Sequence, residues 1–156
     1  HKNCLHSFGI HRSDYVNTVV DNADLIITIG YSTVEYPPAV WNPELKKEIL
    51  HIDFTPAETD AYYSPSCEII GDIATSLDLL ARELNGYTYK AEYEEHVRTK
   101  LHHLLFEDRV DDPAFPMKPR RIVAECRRAL GRDDILSLDY GIYKLWFSRH
   151  YPTYLI

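Results

Sequence analysis

Residues 24–53 read DLIITIGYSTVEYPPAVWNPELKKEILHID, and their interpretation decides the fold. Leu25–Ile29 is an unbroken apolar run closed by Gly30, and residues 48–54 form a second run with Ile49, Leu50, Ile52 and Phe54. Runs this short, rich in isoleucine and bounded by glycine or proline, read as strands rather than helices. Their near-continuous apolarity is the pattern of strands covered on both faces, as in a parallel sheet. An amphipathic segment precedes the first run and another follows the second, and that alternation predicts an α/β fold with a parallel sheet and flanking helices.

Between the two runs lies a loop with Pro37, Pro38 and Pro43, residues that break regular structure. Ligands of open α/β sheets bind at the carboxyl ends of strands, which singles out Tyr31, Glu35, Tyr36 and Trp41. The aromatic members equally suit packing the loop onto the sheet. Asp53 ends the second run, where an acidic residue holds a ribose in dinucleotide folds. The chain nevertheless has no GxGxxG fingerprint, and Asp53 suits the alternative of capping the turn at residues 55–58.

Working outward, residues 13–23 read as a helix, with Ser13 as N-cap and Val16, Val19, Val20 and Ala23 as its apolar stripe. Cys67–Ile70 is a third short strand ended by Gly71. Asp72 then caps a helix whose face is Ile73, Leu77, Leu80, Ala81 and Leu84, with Gly86 at the position of a C-terminal stop. Residues 90–105 are charged and helical in propensity, and Asp111, Asp112, Pro113, Pro116 and Pro119 mark a linker. A second unit opens at Pro119, suited to the first turn of a helix, with Ile122, Val123, Cys126, Ala129 and Leu130 as the stripe and Gly131 as the stop. Residues 135–139 (ILSLD) read as a strand leading to Gly141, after which an aromatic segment runs to Ile156. One helix and one strand do not close a core, so this unit reads as truncated. The predicted division is a partial central α/β domain at 1–86, a helical linker at 87–118 and a second α/β unit at 119–156.

With 45% hydrophobic and 26% charged residues, the 156-residue chain has an ordinary globular composition. No apolar run approaches the roughly 20 residues that span a bilayer, so no membrane association is expected. The net charge of −7 is uneven, residues 1–118 holding 10 basic and 20 acidic side chains and residues 119–156 holding 7 and 4. The acidic body argues against a nucleic-acid partner. Arg120, Arg121, Arg127 and Arg128 either face a phosphate or form the solvated side of a helix. Cys4, Cys67 and Cys126 form no CxxC pair, which fits a reducing cytoplasm. His1, His6 and His11 recur every five residues, matching no regular periodicity, and read as a loop or purification remnant. His96, His102 and His103 read as surface residues, so no metal ligands are assigned. A chain that opens on His1 reads as a piece of a longer one.

The segment at 23–84 resembles the central domain of thiamine-diphosphate enzymes of the acetolactate synthase family. It does so through ADLIITIGYSTVEYPPAVWNP, ILHIDFTPAE and IIGDIATSLDLLARELN, in that order. The form GYSxVEYxPxxWN is similar to the catabolic, flavin-independent members. Residues 119–151 resemble the start of the family's diphosphate-binding domain through RIVAECRRAL and ILSLDYGIYKLWFSRHY, with the spacing Asp139-x-Gly141-x4-Trp146 kept. Together these pieces cover about three-quarters of the chain. After Gly141 the family usually carries small or polar residues, often His or Gln, where this chain has Ile142, Tyr143 and Lys144.

The resemblance implies a parent enzyme that decarboxylates a 2-oxo acid, pyruvate foremost, and condenses the two-carbon unit with a second 2-oxo acid. Thiamine diphosphate and Mg²⁺ would be required and flavin would not, in a cytoplasmic homo-oligomer (dimer or tetramer). It places Gly141, Ile142 and Tyr143 near the cofactor diphosphate, where a glycine lets backbone approach phosphate. The family's activating glutamate and its Gly-Asp-Gly…Asn segment do not occur in this sequence, so no catalytic residue is assigned. These 156 residues alone are expected to bind no cofactor and to be catalytically silent. The competing expectations are a related 2-oxo acid decarboxylase or oxidase, a nucleotide- or flavin-binding module built on the Tyr31–Trp41 loop and Asp53, and an interaction piece with an unpaired sheet edge.

Overall fold

A computed structural model describes residues 4, 5, 7, 8, 16–88, 92–103 and 111–153. They fall into two compact units, Phe8–Glu94 and a second made of His1–Ser7 with Glu95–Ile156. The first unit carries α1 (Asn17–Asn22), β1 (Leu25–Ile29), α2 (Pro38–Trp41), β2 (Glu48–Asp53), β3 (Cys67–Ile70) and α3 (Ile73–Glu83). Helix α4 (Glu92–His102) crosses the division, and α5 (Pro119–Ala129) and α6 (Tyr143–His150) belong to the second unit. Among the described residues no helix is long and apolar enough to cross a membrane.

The three strands form one parallel sheet in the order β1-β2-β3. Ile26 pairs with Ile49 and Thr28 with His51, while Leu50 pairs with Cys67 and His51 with Glu68. Registered partners in a parallel ladder share a face, so Ile26, Thr28, Ile49 and His51 lie on one side and Leu25, Ile27, Ile29, Leu50 and Ile52 on the other. The first face is sealed by Trp41, Ile49 and Tyr63, against which Phe8, Val20, Ile26, Tyr31 and Ala57 pack. On the second face α3 packs against β2, leaving Ile52 with no exposed surface. Leu25, Ile27 and Ile29 of β1 remain 43–49% exposed there. The expectation of strands covered on both faces therefore holds for β2 and is corrected for β1, which no described helix covers on that side.

Side-chain clamps hold the connections. Asn42, nearly fully buried, donates from Nδ2 to the Tyr62 carbonyl (2.8 Å) and accepts the Lys46 and Lys47 amides on Oδ1. Lys47 Nζ donates to the carbonyls of Asp21 (2.6 Å) and Ala23 (3.1 Å), satisfying the end of α1. Asp60 Oδ1 accepts the amides of Tyr62 and Tyr63 and so fixes where the Tyr63 ring enters the core. Asp72 caps α3 as the sequence indicates, accepting the Thr75 amide at 2.8 Å. Ser13, the expected cap of the first helix, lies outside the described residues, and among these α1 runs from Asn17 to Asn22, after Val16.

In the second unit Val97, Leu101 and Val123 are buried, and α5 packs on α6. Pro119 occupies the first turn of α5, and the helix closes at Leu130, just before Gly131. Residues 135–139 form no strand, contrary to expectation. Ile135 is 93% exposed, and among the described residues no strand lies beside the segment to take its backbone groups. Helix α6 was not anticipated from the aromatic run. Its spacing stacks Trp146 on His150 and Phe147 near Tyr151, pairs four residues apart on one helical side.

Candidate functional site

Gly30 turns the chain off the end of β1 with φ +55°, a conformation that disfavours any residue with a Cβ. Ser32, Thr33 and Val34 then form one wall of a cavity of about 220 Å³, whose other walls are Asp53, Thr55 and Glu58 at the end of β2, with His51 and Tyr63 also lining it. This is the place at which a parallel sheet takes ligands. Among the described residues two carboxylates line it and no Lys or Arg does, which gives a phosphate no cationic partner among them. Asp53 Oδ1 accepts the Phe54 amide at 2.6 Å, a local turn contact.

The aromatic group singled out in the loop is mostly packing. Trp41 is 2% exposed, and its Nε1–H donates to Tyr31 Oη at 3.0 Å; Tyr31 in turn donates to the Tyr36 carbonyl. Burial pushes the Tyr31 phenol up to about 12, with the Trp41 hydrogen bond opposing it and Tyr63 and Asp60 adding to it. Tyr63 is also raised, again by burial first. Glu35 stands at the exposed turn, its amide donating to Ser32 Oγ at 3.3 Å.

Sequence reasoning missed a polar cluster in this core. His51 is 3% exposed in the central strand, with Nδ1 2.9 Å from Tyr63 Oη and Nε2 3.3 Å from the Thr55 carbonyl. Tyr63 Oη is 2.7 Å from Thr28 Oγ1. The available signal was alternation, since a Thr and a His at matching places in two adjacent strands share a face. Nothing local in the sequence brings Tyr63 to them.

In the second unit, Gly141 precedes α6, whose N-cap residue Ile142 supplies no side-chain cap. A Cβ at residue 141 would stand 2.5 Å from a ring carbon of the half-exposed Tyr143, so a larger residue there would have to displace that ring. Ile142 is 75% exposed and Tyr143 39%. In that first turn the Lys144 amide donates to the Gly141 carbonyl (2.9 Å) and the Leu145 amide to the Ile142 carbonyl (3.1 Å). The arginines of α5 are otherwise engaged: Arg128 pairs with Asp111 (2.7 Å) and Glu125 (2.9 Å), Arg127 donates to the Leu130 carbonyl (2.8 Å) and lies over the Tyr151 ring, and Arg121 donates to the Asp112 carbonyl. His96, His102 and His103 are exposed, and His1, His6 and His11 lie outside the described residues. Among the described residues no three His, Cys, Asp or Glu converge as a metal site would need.

Against known proteins, the family described as thiamine pyrophosphate enzyme, central domain, matches residues 1–80. An acetolactate synthase of Bacillus subtilis is 30% identical over 152 residues, covering 94% of this chain and 26% of that protein. A catabolic acetolactate synthase of Raoultella terrigena is 32% identical over 145 residues, covering 91% and 26%. A putative thiamine pyrophosphate-containing protein of Bacillus subtilis is 24% identical over 156 residues, covering 97% and 26%. The chain thus spans about a quarter of the length of these relatives.

Proposed function

The chain belongs to the thiamine pyrophosphate enzyme family through its central domain, and on that premise we propose that it serves an acetolactate synthase of the catabolic, flavin-independent kind. The carrying observation is the 30–32% identity to two acetolactate synthases along more than nine-tenths of the chain. The reaction is decarboxylation of pyruvate and condensation with a second 2-oxo acid, in a cytoplasmic homo-oligomer. In this reading residues 1–86 are central domain, 87–118 a linker and 119–156 the start of the diphosphate-binding domain.

Thiamine diphosphate supplies the carbanion chemistry when bound, and protein residues supply orientation and electrostatics. What this chain brings is narrow. The sheet of the first unit acts as a scaffold, and Gly141, Ile142 and Tyr143 offer backbone N–H groups to the diphosphate. The lack of a side-chain cap on α6 supports that role. No Mg²⁺ ligand is assigned within these 156 residues. The acidic lining of the strand-end cavity speaks against a flavin or nucleotide phosphate there.

Isothermal titration tests the reading. The 156-residue chain should give no heat with thiamine diphosphate and Mg²⁺, and a protein carrying these residues within a chain of the relatives' length should bind the cofactor and release CO₂ from pyruvate. Failure of that longer protein to respond to the cofactor would overturn the assignment.

A further inference from the structure

The turn that leads into α6 carries open donors with a cover over them. Among the described residues nothing accepts the amides of Gly141, Ile142 and Tyr143, whereas those of Lys144 and Leu145 are bonded to the Gly141 (2.9 Å) and Ile142 (3.1 Å) carbonyls. On the other side the Tyr140 amide donates to Asp139 Oδ1 at 2.6 Å. Three consecutive donors therefore lie between two bonded stretches, beginning at a residue that has no side chain of its own to shield them.

The cover comes from Tyr143. Its ring carbons Cε1, Cζ and Cδ1 stand 2.5, 3.0 and 3.1 Å from the point where a Cβ of residue 141 would lie, so one side of the ring occupies the space that the glycine leaves empty. That space is what lets a phosphate oxygen come close to glycine backbone. Ile142, by contrast, is 75% exposed and covers nothing of the kind. Tyr143 keeps 39% of its surface in solvent, so the ring has an open side to turn towards.

We infer that Tyr143 gates the Gly141 turn: its ring lies over the glycine and swings out about its side-chain torsions before a diphosphate reaches the amides of residues 141–143. The inference rests on the reading, given above, that this turn serves the cofactor diphosphate. No covalent bond changes in the movement. A site whose open form is a minority binds more weakly by the fraction that is open. The gate therefore lowers the apparent affinity of the turn for any phosphate, and favours a ligand that other parts of the longer protein also hold. The chain departs from the family at this place, carrying an aromatic ring where small or polar residues are usual, and a small residue has no ring to lay over the glycine.

The test has two arms, each with Tyr143→Ala and Tyr143→Phe beside the unaltered residue. In the 156-residue chain, NMR should show a nuclear Overhauser contact between the Gly141 α protons and the ring protons of residue 143, kept in Tyr143→Phe. In a protein carrying these residues within a chain of the relatives' length, titration with thiamine diphosphate and Mg²⁺ should give tighter binding in Tyr143→Ala, by up to roughly tenfold if about a tenth of the turns stand open. Tyr143→Phe should bind as the unaltered protein does. A packing role alone predicts equal or weaker binding in Tyr143→Ala, and that result, or a missing Gly141 contact, would overturn the gate while leaving the cofactor reading in place. Absence of binding in all three longer proteins would overturn the cofactor reading and the gate with it.

Discussion

Glu48–Asp53 (EILHID) and residues 135–139 (ILSLD) are near twins as sequence, and the structure treats them oppositely. The first is the central strand of a sheet, with Ile49 and Ile52 at 0% exposure. The second is no strand at all, with Ile135 at 93% and Leu138 at 39%. Local pattern makes both eligible. What differs is company: β2 has a paired strand on each side, aromatic rings on one face and α3 on the other. Ile135, Leu136 and Leu138 line an open groove of about 640 Å³ together with Arg127, Arg132 and Lys144. Eligibility for a strand is a property of the sequence, whereas strand formation is a property of neighbours.

Truncation separates the two segments most sharply. Trp41→Ala, which removes the largest ring from the sealed face and the donor to Tyr31, should cost about 3–5 kcal/mol of stability, and Ile52→Ala about 2–5 kcal/mol, in urea unfolding followed by tryptophan fluorescence or circular dichroism. Ile135→Ala should stay within about 0.5 kcal/mol, as exposed positions do. Equal losses at residues 52 and 135 would break the contrast.

A smaller effect comes from alkali. The folded Tyr31 phenol is raised from 10.0 to about 12, and Tyr63 is raised too, so the folded state holds these protons more tightly than the unfolded chain. The Tyr31 contribution is fully present below pH 10 and is lost as pH rises through about 12, and that of Tyr63 is likewise lost on the alkaline side. Ultraviolet phenolate titration should show a late-titrating fraction that Tyr31→Phe reduces. The smallest effect sits at α3. The Thr75 amide holds the Asp72 carboxyl below its ordinary value, so this cap is present above the unfolded carboxyl's range and fades as pH falls through the folded one. Asp72→Ala should raise amide exchange in the first turn of α3 and leave β2 unchanged.

The same contrast explains what could be read beforehand. The three strands, the Asp72 cap and the Pro119 start are written in nearest-neighbour chemistry, in apolar runs and capping residues, and the sequence shows them. The family was legible in ordered motifs at 23–84. The exposure of Leu25, Ile27 and Ile29, the missing strand at 135–139 and the joining of Thr28, His51 and Tyr63 depend on which segments lie alongside, and no local window holds that information. Helix α6 was overlooked because its aromatics stack four residues apart, a period hidden by the absence of a polar face. The backbone turn at Gly141–Tyr143 was chosen from resemblance alone.

Amide hydrogen exchange of the native chain, read residue by residue, compares the two segments in one experiment. The amides of Ile49, Leu50 and Ile52 should be among the most protected in the molecule, opening only with global unfolding, and those of Leu136 and Leu138 should exchange at close to unstructured rates. Equal protection of both segments, or fast exchange in β2, would contradict the parallel sheet as the structural centre of this chain.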